Sequence, residues 1–222
     1  MAVFRREGNT CTDMKTRNLI ILFILFIPVL AACGPALTPL PYADDFSQPD
    51  SGWKTASDEA LQIKYQDGGL HFLLNDLDTV AWSTPQDKRF GDFVFDVDAT
   101  QVAGPNDNAY GVIFRYQDDR NFYRFDISGD GYYALFKRKA GTWTKVQDYL
   151  EVAAVKQGAA TNHLQVIARG KQFTLNINGQ TVKTFSDSDF PSGNIGVAAG
   201  TLFDNAGVEI AFDNVTVGEV KP

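Results

Sequence analysis

Asp96 and Asp98 stand two residues apart in the run Phe93-Val94-Phe95-Asp96-Val97-Asp98. Residues i and i+2 of an extended strand share one face about 7 Å apart, a spacing at which two carboxyls can divide acid and base work on a glycosidic bond. The competing and preferred reading is a solvated strand face, because Phe93, Phe95 and Val97 supply the apolar face opposite. A second alternation, Tyr123-Arg124-Phe125-Asp126-Ile127, sets Arg124 and Asp126 against three apolar side chains. Arg and Asp offer fixed donors and acceptors to sugar hydroxyls, and Trp82, Tyr110 or Tyr132 can stack on the apolar face of a pyranose. With Asp96, Asp98 and Arg115 expected on the same sheet, the candidate ligand residues are Trp82, Arg115, Arg124 and Asp126, and the catalytic candidates are Asp96, Asp98 and Asp126. Cross-strand charge pairing on an exposed sheet accounts for the same pattern without a ligand. Either way the face is expected to be open, so that truncating Arg124 or Asp126 leaves stability nearly unchanged.

Other chemistry is sparse. Glu59, Glu151, Glu209 and Glu219 are scattered and form no pair on one strand. His71 and His163 lie in separate expected strands without the spacing of a histidine-built metal site. Asp44, Asp45 and Asp213 fall near the two ends of the domain and carry oxygen ligands of the kind calcium takes, although aspartate in a turn ordinarily caps backbone amides, the preferred reading here. Asp130-Gly131 reads likewise as turn chemistry. No cofactor is expected. Trp53 and Trp143 read as core or corner aromatics.

These side chains need strands to position them, and strands are what the sequence offers past Asp44. Period-two or short apolar stretches run over 61–65, 70–74, 79–83, 93–98, 110–117, 122–128, 132–139, 143–147, 163–169, 173–178, 181–185, 195–199 and 208–217. Turn formers separate them, among them Asp67-Gly68-Gly69, Asp118–Asn121, Ser128–Gly131, Ala140-Gly141 and, the strongest, Asn178-Gly179. The best helical stretch, 150–155, is too short to rank above a loop or one turn. About a dozen short strands predict an all-β domain of two packed antiparallel sheets, a jelly-roll sandwich, since one open sheet would leave too much apolar surface uncovered.

The front of the chain reads differently. Lys15 and Arg17 precede the apolar run Leu19–Ile27, which continues through Pro28 to Ala32 and ends in small residues, the order of an export signal and too short for a spanning helix of about 20 residues. The junction Leu30-Ala31-Ala32-Cys33-Gly34 resembles the lipobox of bacterial lipoproteins, which implies lipidation of Cys33 and anchorage to the extracytoplasmic face of a bacterial membrane. Met14 gives a compact signal and is the expected start. The expected organisation is a signal over 1–32, a lipidated proline-rich tether over 33–43 and a β-sandwich over 44–218. Setting aside Arg5, Arg6, Lys15, Arg17, Glu7 and Asp13 from 20 basic and 27 acidic residues leaves 16 and 25, a formal charge of −9, which argues against nucleic acid as a partner. With Cys33 committed to lipid and Cys11 upstream of it, no disulfide is available to the domain.

The run Tyr110-Gly111-Val112-Ile113-Phe114-Arg115-Tyr116, followed by Asn121-Phe122-Tyr123-Arg124-Phe125, resembles the middle of concanavalin A-like lectin/glucanase domains. Leu164-Gln165-Val166, Asn176–Gly179, Gly193–Gly196 and Phe212–Val215 follow in the order of those modules. Within them the chain is most similar to the 3-keto-disaccharide hydrolase-like domain, over about 44–217. These motifs are turn glycines and core aromatics, so they imply the fold more than an activity. Glucanases of the fold carry two glutamates on one strand, and that motif is missing here. The reading is therefore a lipid-anchored envelope module that binds carbohydrate without turning it over. A glycoside or keto-sugar hydrolase stands second, and a structural or protein-interaction role third.

Overall fold

A computed structural model describes residues 36–221. Every regular element among them is a strand: β1 (Tyr42–Asp44), β2 (Ala56–Ser57), β3 (Leu61–Gln66), β4 (Gly69–Leu74), β5 (Val80–Ser83), β6 (Phe93–Ala103), β7 (Ala109–Asp118), β8 (Asn121–Ile127), β9 (Tyr132–Lys139), β10 (Thr142–Glu151), β11 (Thr161–Arg169), β12 (Gln172–Ile177), β13 (Gln180–Ser186), β14 (Asn194–Gly200) and β15 (Val208–Gly218). Alternation drives this outcome, because each strand has one apolar side to bury and two such sheets bury each other. The nine-stranded sheet runs β13-β12-β11-β6-β15-β4-β3-β2, with β1 on β15; the six-stranded sheet runs β10-β9-β8-β7-β14-β5. All pairings are antiparallel. The fold is the expected all-β jelly-roll sandwich.

Between the sheets lie Phe93, Phe95 and Val97 of β6, Tyr123, Phe125 and Ile127 of β8, and Ile195, Val197 and Ala199 of β14, all fully or almost fully buried. Asn178 and Gly179 take φ of 50° and 79°, the left-handed pair that a two-residue hairpin between β12 and β13 requires. Cys33 and the expected export signal lie outside the described residues.

Two boundaries differ from expectation. The tether does not extend to residue 43: Thr38 exchanges hydrogen bonds with Arg89, and Tyr42 already pairs with Val217. Leu40 and Tyr42 supply the reason, since both pack on the core and hold the proline-rich segment against it. In addition, β10 runs through to Glu151, where a loop or turn was expected. Register shifts between Lys145, Gln147 and Leu150 break its alternation, which hides the strand from a period-two reading.

Candidate functional site

The outer face of the six-stranded sheet carries the candidate site. Core-facing Tyr123, Phe125 and Ile127 send Arg124 and Asp126 of β8 to the other side, as the alternation requires. Their surroundings were not legible locally. Cross-strand register aligns Ala134 of β9, Asp126, Gly111 of β7, Ala198 of β14 and Trp82 of β5 in one row. The row above it reads Phe136, Arg124, Ile113 and Gly196. Small residues thus flank Asp126, while Phe136 and Ile113 flank Arg124. Gly111 must be glycine, since a Cβ there would stand 2.1 Å from the Phe125 carbonyl oxygen.

Asp126 is fully buried and Arg124 only 4% exposed. Arg124 Nε donates to Asp126 Oδ1 at 2.8 Å, while Arg124 Nη2 and Asp126 Oδ2 have no partner among the described residues. Burial holds the Asp126 carboxyl above the usual carboxylate range, with Arg124 pulling the other way. Tyr149 of β10 stands beside the pair, its hydroxyl pushed up first by burial and then by the Asp126 charge. The expectation of an open pair is corrected here: the charges lie on the outward face yet are buried, because the aromatics of β9 and β10 and the flanking cross-strand residues leave them little access.

Aromatic side chains flank these rows. Phe122 of β8 packs at 5.3 Å from Trp82 and 5.5 Å from Trp143, and Phe136 packs at 5.9 Å from Tyr149. The Arg138 guanidinium sits 5.8 Å from the Trp82 ring and 5.2 Å from the Trp143 ring. Asp119 fixes the edge, accepting from Trp82 Nε1 at 3.1 Å and from the Tyr116 hydroxyl at 2.5 Å. Trp143 is 41% exposed and belongs to this face; its reading as a core or corner ring is corrected, because β10 is the edge strand of its sheet. Rings beside fixed donors and acceptors are what a pyranose needs: apolar C–H faces meet aromatic planes and hydroxyls meet charges.

The remaining sequence candidates fall elsewhere. A bulge after Phe114, with Arg115 at φ 53°, turns the Arg115 side chain into the end of the sandwich. There it donates to the Phe90, Gly91 and Gly170 carbonyls and to Asp92, with Phe93 and Phe173 rings 5.2 and 5.7 Å away. Arg115 is a buried staple between elements, and the expectation that it joins the ligand face is corrected. Asp96 and Asp98 lie on the outer face of the nine-stranded sheet, not with Arg124 and Asp126 as expected, because β6 pairs with β11 and β15 in the other sheet. They bracket His163, whose Nε2 lies 3.0 Å from Asp96 Oδ1 and whose Nδ1 lies 2.9 Å from Asp98 Oδ1. Both ring nitrogens thus face carboxylates. Burial opposes the imidazolium, yet the hydrogen bonds it donates to Asp98 and Asp96 outweigh it, so His163 titrates above the ordinary histidine value.

Tyr110 is a core residue whose hydroxyl accepts from Asn162 Nδ2 at 3.3 Å, which removes it as a stacking ring. Asp44 accepts from the Phe46 amide and the Trp53 indole, Asp45 from the Ser47 amide and Asp213 from the Asn214 amide, so each of the calcium candidates caps a neighbouring donor. Among the described residues no three His, Cys, Asp or Glu side chains converge as a metal site would require.

The family model of the 3-keto-alpha-glucoside-1,2-lyase-like domain matches residues 46–218. The chain belongs to that family. This is the domain resembled by the Tyr110–Tyr116 and Asn121–Phe125 runs. Solved structures with a similar fold include carbohydrate-related proteins. The carbohydrate binding module CBM66 from Bacillus subtilis superposes with a TM-score of 0.60 at 20% identity, covering 76% of this chain and 96% of that one. A native glycosidic hydrolase gives 0.62 at 12% identity, covering 82% and 97%. The Crh5 transglycosylase in complex with NAG gives 0.60 at 14%, covering 85% and 87%. At these identities the likeness concerns the fold. No curated protein matches the sequence.

Proposed function

We propose that this domain binds a saccharide on the outer face of the six-stranded sheet and retains it without turnover, and that lipid on Cys33 holds it at the extracytoplasmic face of a bacterial membrane. The observation that carries the reading is the buried Arg124–Asp126 pair, with one donor and one acceptor left unpartnered among the described residues, on the face that also carries the Trp82 and Trp143 rings. Unpartnered buried polar atoms cost stability, and sugar hydroxyls meeting Arg124 Nη2 and Asp126 Oδ2 would recover that cost. Trp82 and Trp143 supply rings on either side of Arg138, and the carbohydrate-binding and glycosidase structures of the same fold support a glycan as the partner.

Screening the protein on a glycan array, then titrating the best ligand calorimetrically into Trp82→Ala and Trp143→Ala, tests the reading. Affinity should fall about tenfold, or ~1.4 kcal/mol, in each variant with the fold intact. Unchanged affinity in both, or a blank array, overturns it. Cys33→Ser should abolish labelling by a palmitate analogue, and undiminished labelling would remove the anchor.

A hydrolase or lyase is the second reading, favoured by the raised Asp126 carboxyl, which keeps a proton more readily than an ordinary aspartate and so suits a general acid. Asp96 and Asp98 do not serve this reading, since His163 occupies the space between them. Products released from the array ligand, and lost in Asp126→Asn, would establish it in place of simple retention.

A further inference from the structure

Beyond the Arg124–Asp126 pair, at the 104–108 end of the same face, Asp107, Ser128, Asp130, Tyr132, Tyr149 and Leu202 wall a pocket of ≈ 240 Å³. This lies below the ~300 Å³ at which sites for drug-sized ligands begin, and it suits a single sugar ring. The pocket continues the row already described, because Ser128 follows Arg124 and Asp126 at two-residue steps along the outward side of the same chain segment. Asn108 fixes its base from full burial, donating to Gln101 Oε1 and the Pro105 carbonyl while accepting from the Gly129 amide.

The charge here is one-sided. No ion pair among the described residues includes Asp107, Asp130 or Asp204. Asp107 accepts only from the neutral Asn205 amide at 3.4 Å, and Asp130 from the Ser128 hydroxyl. Burial first, then the charges of Asp130 and Asp204, hold the Asp107 carboxyl above its usual range, a sign of mutual repulsion with no cation to relieve it. Next along the row, the fully buried Asp126 leaves Oδ2 unpartnered on the same outward side. Against these carboxylates stands one guanidinium, Arg124. Tyr132 and Tyr149 add ring faces to which a cation is drawn. Such a field favours a positive group and disfavours a uronate or sulfated sugar.

We propose that this pocket is a subsite for a sugar bearing a free amino group, with Asp107 and Asp130 receiving the ammonium and Tyr132 and Tyr149 flanking the ring. The inference rests on the saccharide reading and narrows it to amino sugars.

Nuclear magnetic resonance titration of the protein with glucosamine, glucose, N-acetylglucosamine and glucuronate separates the possibilities, because these monosaccharides share ring shape and differ in charge. Glucosamine should shift the amides of Asp107, Ser128, Tyr132 and Tyr149 with at least tenfold tighter apparent Kd than glucose or N-acetylglucosamine, and glucuronate should bind weakest. The double variant Asp107→Asn/Asp130→Asn should erase the preference while a glycan found by array still binds at Trp82 and Trp143. Equal shifts from glucosamine and N-acetylglucosamine, no response to glucosamine, or an equal response to calcium or ammonium in place of the sugar would each overturn the inference. Array binding that survives such a result leaves the saccharide reading standing, whereas a blank array together with silent amides removes both.

Discussion

Both sheets turn a charged face outward, and the two faces differ in what surrounds the charge. On the nine-stranded sheet, Asp96, His163 and Asp98 are joined by Gln165 and Asn214, which donate to the two carboxylates at 2.8 and 3.0 Å, and the His163 side chain is 46% exposed. That network saturates itself in contact with solvent. On the six-stranded sheet, Arg124 and Asp126 are buried among Gly111, Ala134, Ala198 and large rings, with atoms left unpartnered. The same period-two pattern therefore yields a solvated, closed network on one side and a desolvated, open-ended pair on the other. The deciding variable is the size of the residues in neighbouring strands.

The comparison breaks most visibly in stability. Asp126→Ala strips one partner from a buried pair and should cost about 3–5 kcal/mol, a fall in melting temperature on the order of 10 °C, whereas Asp98→Ala on the solvated face should cost ~1 kcal/mol or less. Equal losses in thermal melts would cancel the distinction between the faces. A smaller contrast concerns backbone space. Gly111→Ala puts a Cβ against the Phe125 carbonyl and should cost about 1–3 kcal/mol by denaturant titration, while Gly218→Ala on the other sheet meets no atom within 4 Å and should be close to neutral.

Binding sharpens the comparison next. Asp96→Asn and His163→Gln should leave the affinity for any array-identified glycan unchanged, in contrast to the tenfold loss for Trp143→Ala; calorimetry on the three variants would show it. The smallest effect is in pH. His163 has its folded value raised above the ordinary 6.5, so the stability it contributes is present below about pH 6.5 and is lost as pH rises through the folded value. The melting-temperature gap between wild type and His163→Gln should shrink over that rise. A gap that widens would mean the imidazole is held neutral between the two carboxylates.

Much of this architecture was readable from the chain. Alternation in 93–97 and 123–127 fixed which side chains enter the core, and Asn178-Gly179 marked its hairpin, because both depend on neighbours in sequence. Arg124, Asp126 and Trp82 were legible as a shared face for the same reason. Arg115 was not, since a single bulge reverses the parity of everything after it. Asp96 and Asp98 were assigned to the wrong sheet because alternation says in or out but never which sheet. The His163 bridge depends on the β6–β11 register across 65 residues of chain, and no local spacing encodes it. Trp143 and Tyr149 were missed because β10 is exposed along most of its length, with no buried face to set a period, and irregular in register.

The pairing of Tyr42 with Val217 has a mechanical consequence. It puts the entry of the described chain at the Thr38–Arg89 end of the sandwich, while the Asp107–Asp130 pocket occupies the opposite end. A pull on the entering chain, resisted by a ligand held in that pocket, would travel along the strands and across their hydrogen bonds, which lie perpendicular to the strand direction. The bonds joining β1 to β15 would then be loaded together in shear rather than peeled one at a time. A chain entering in this way would resist a pull along the strands better than one peeled from the sheet edge.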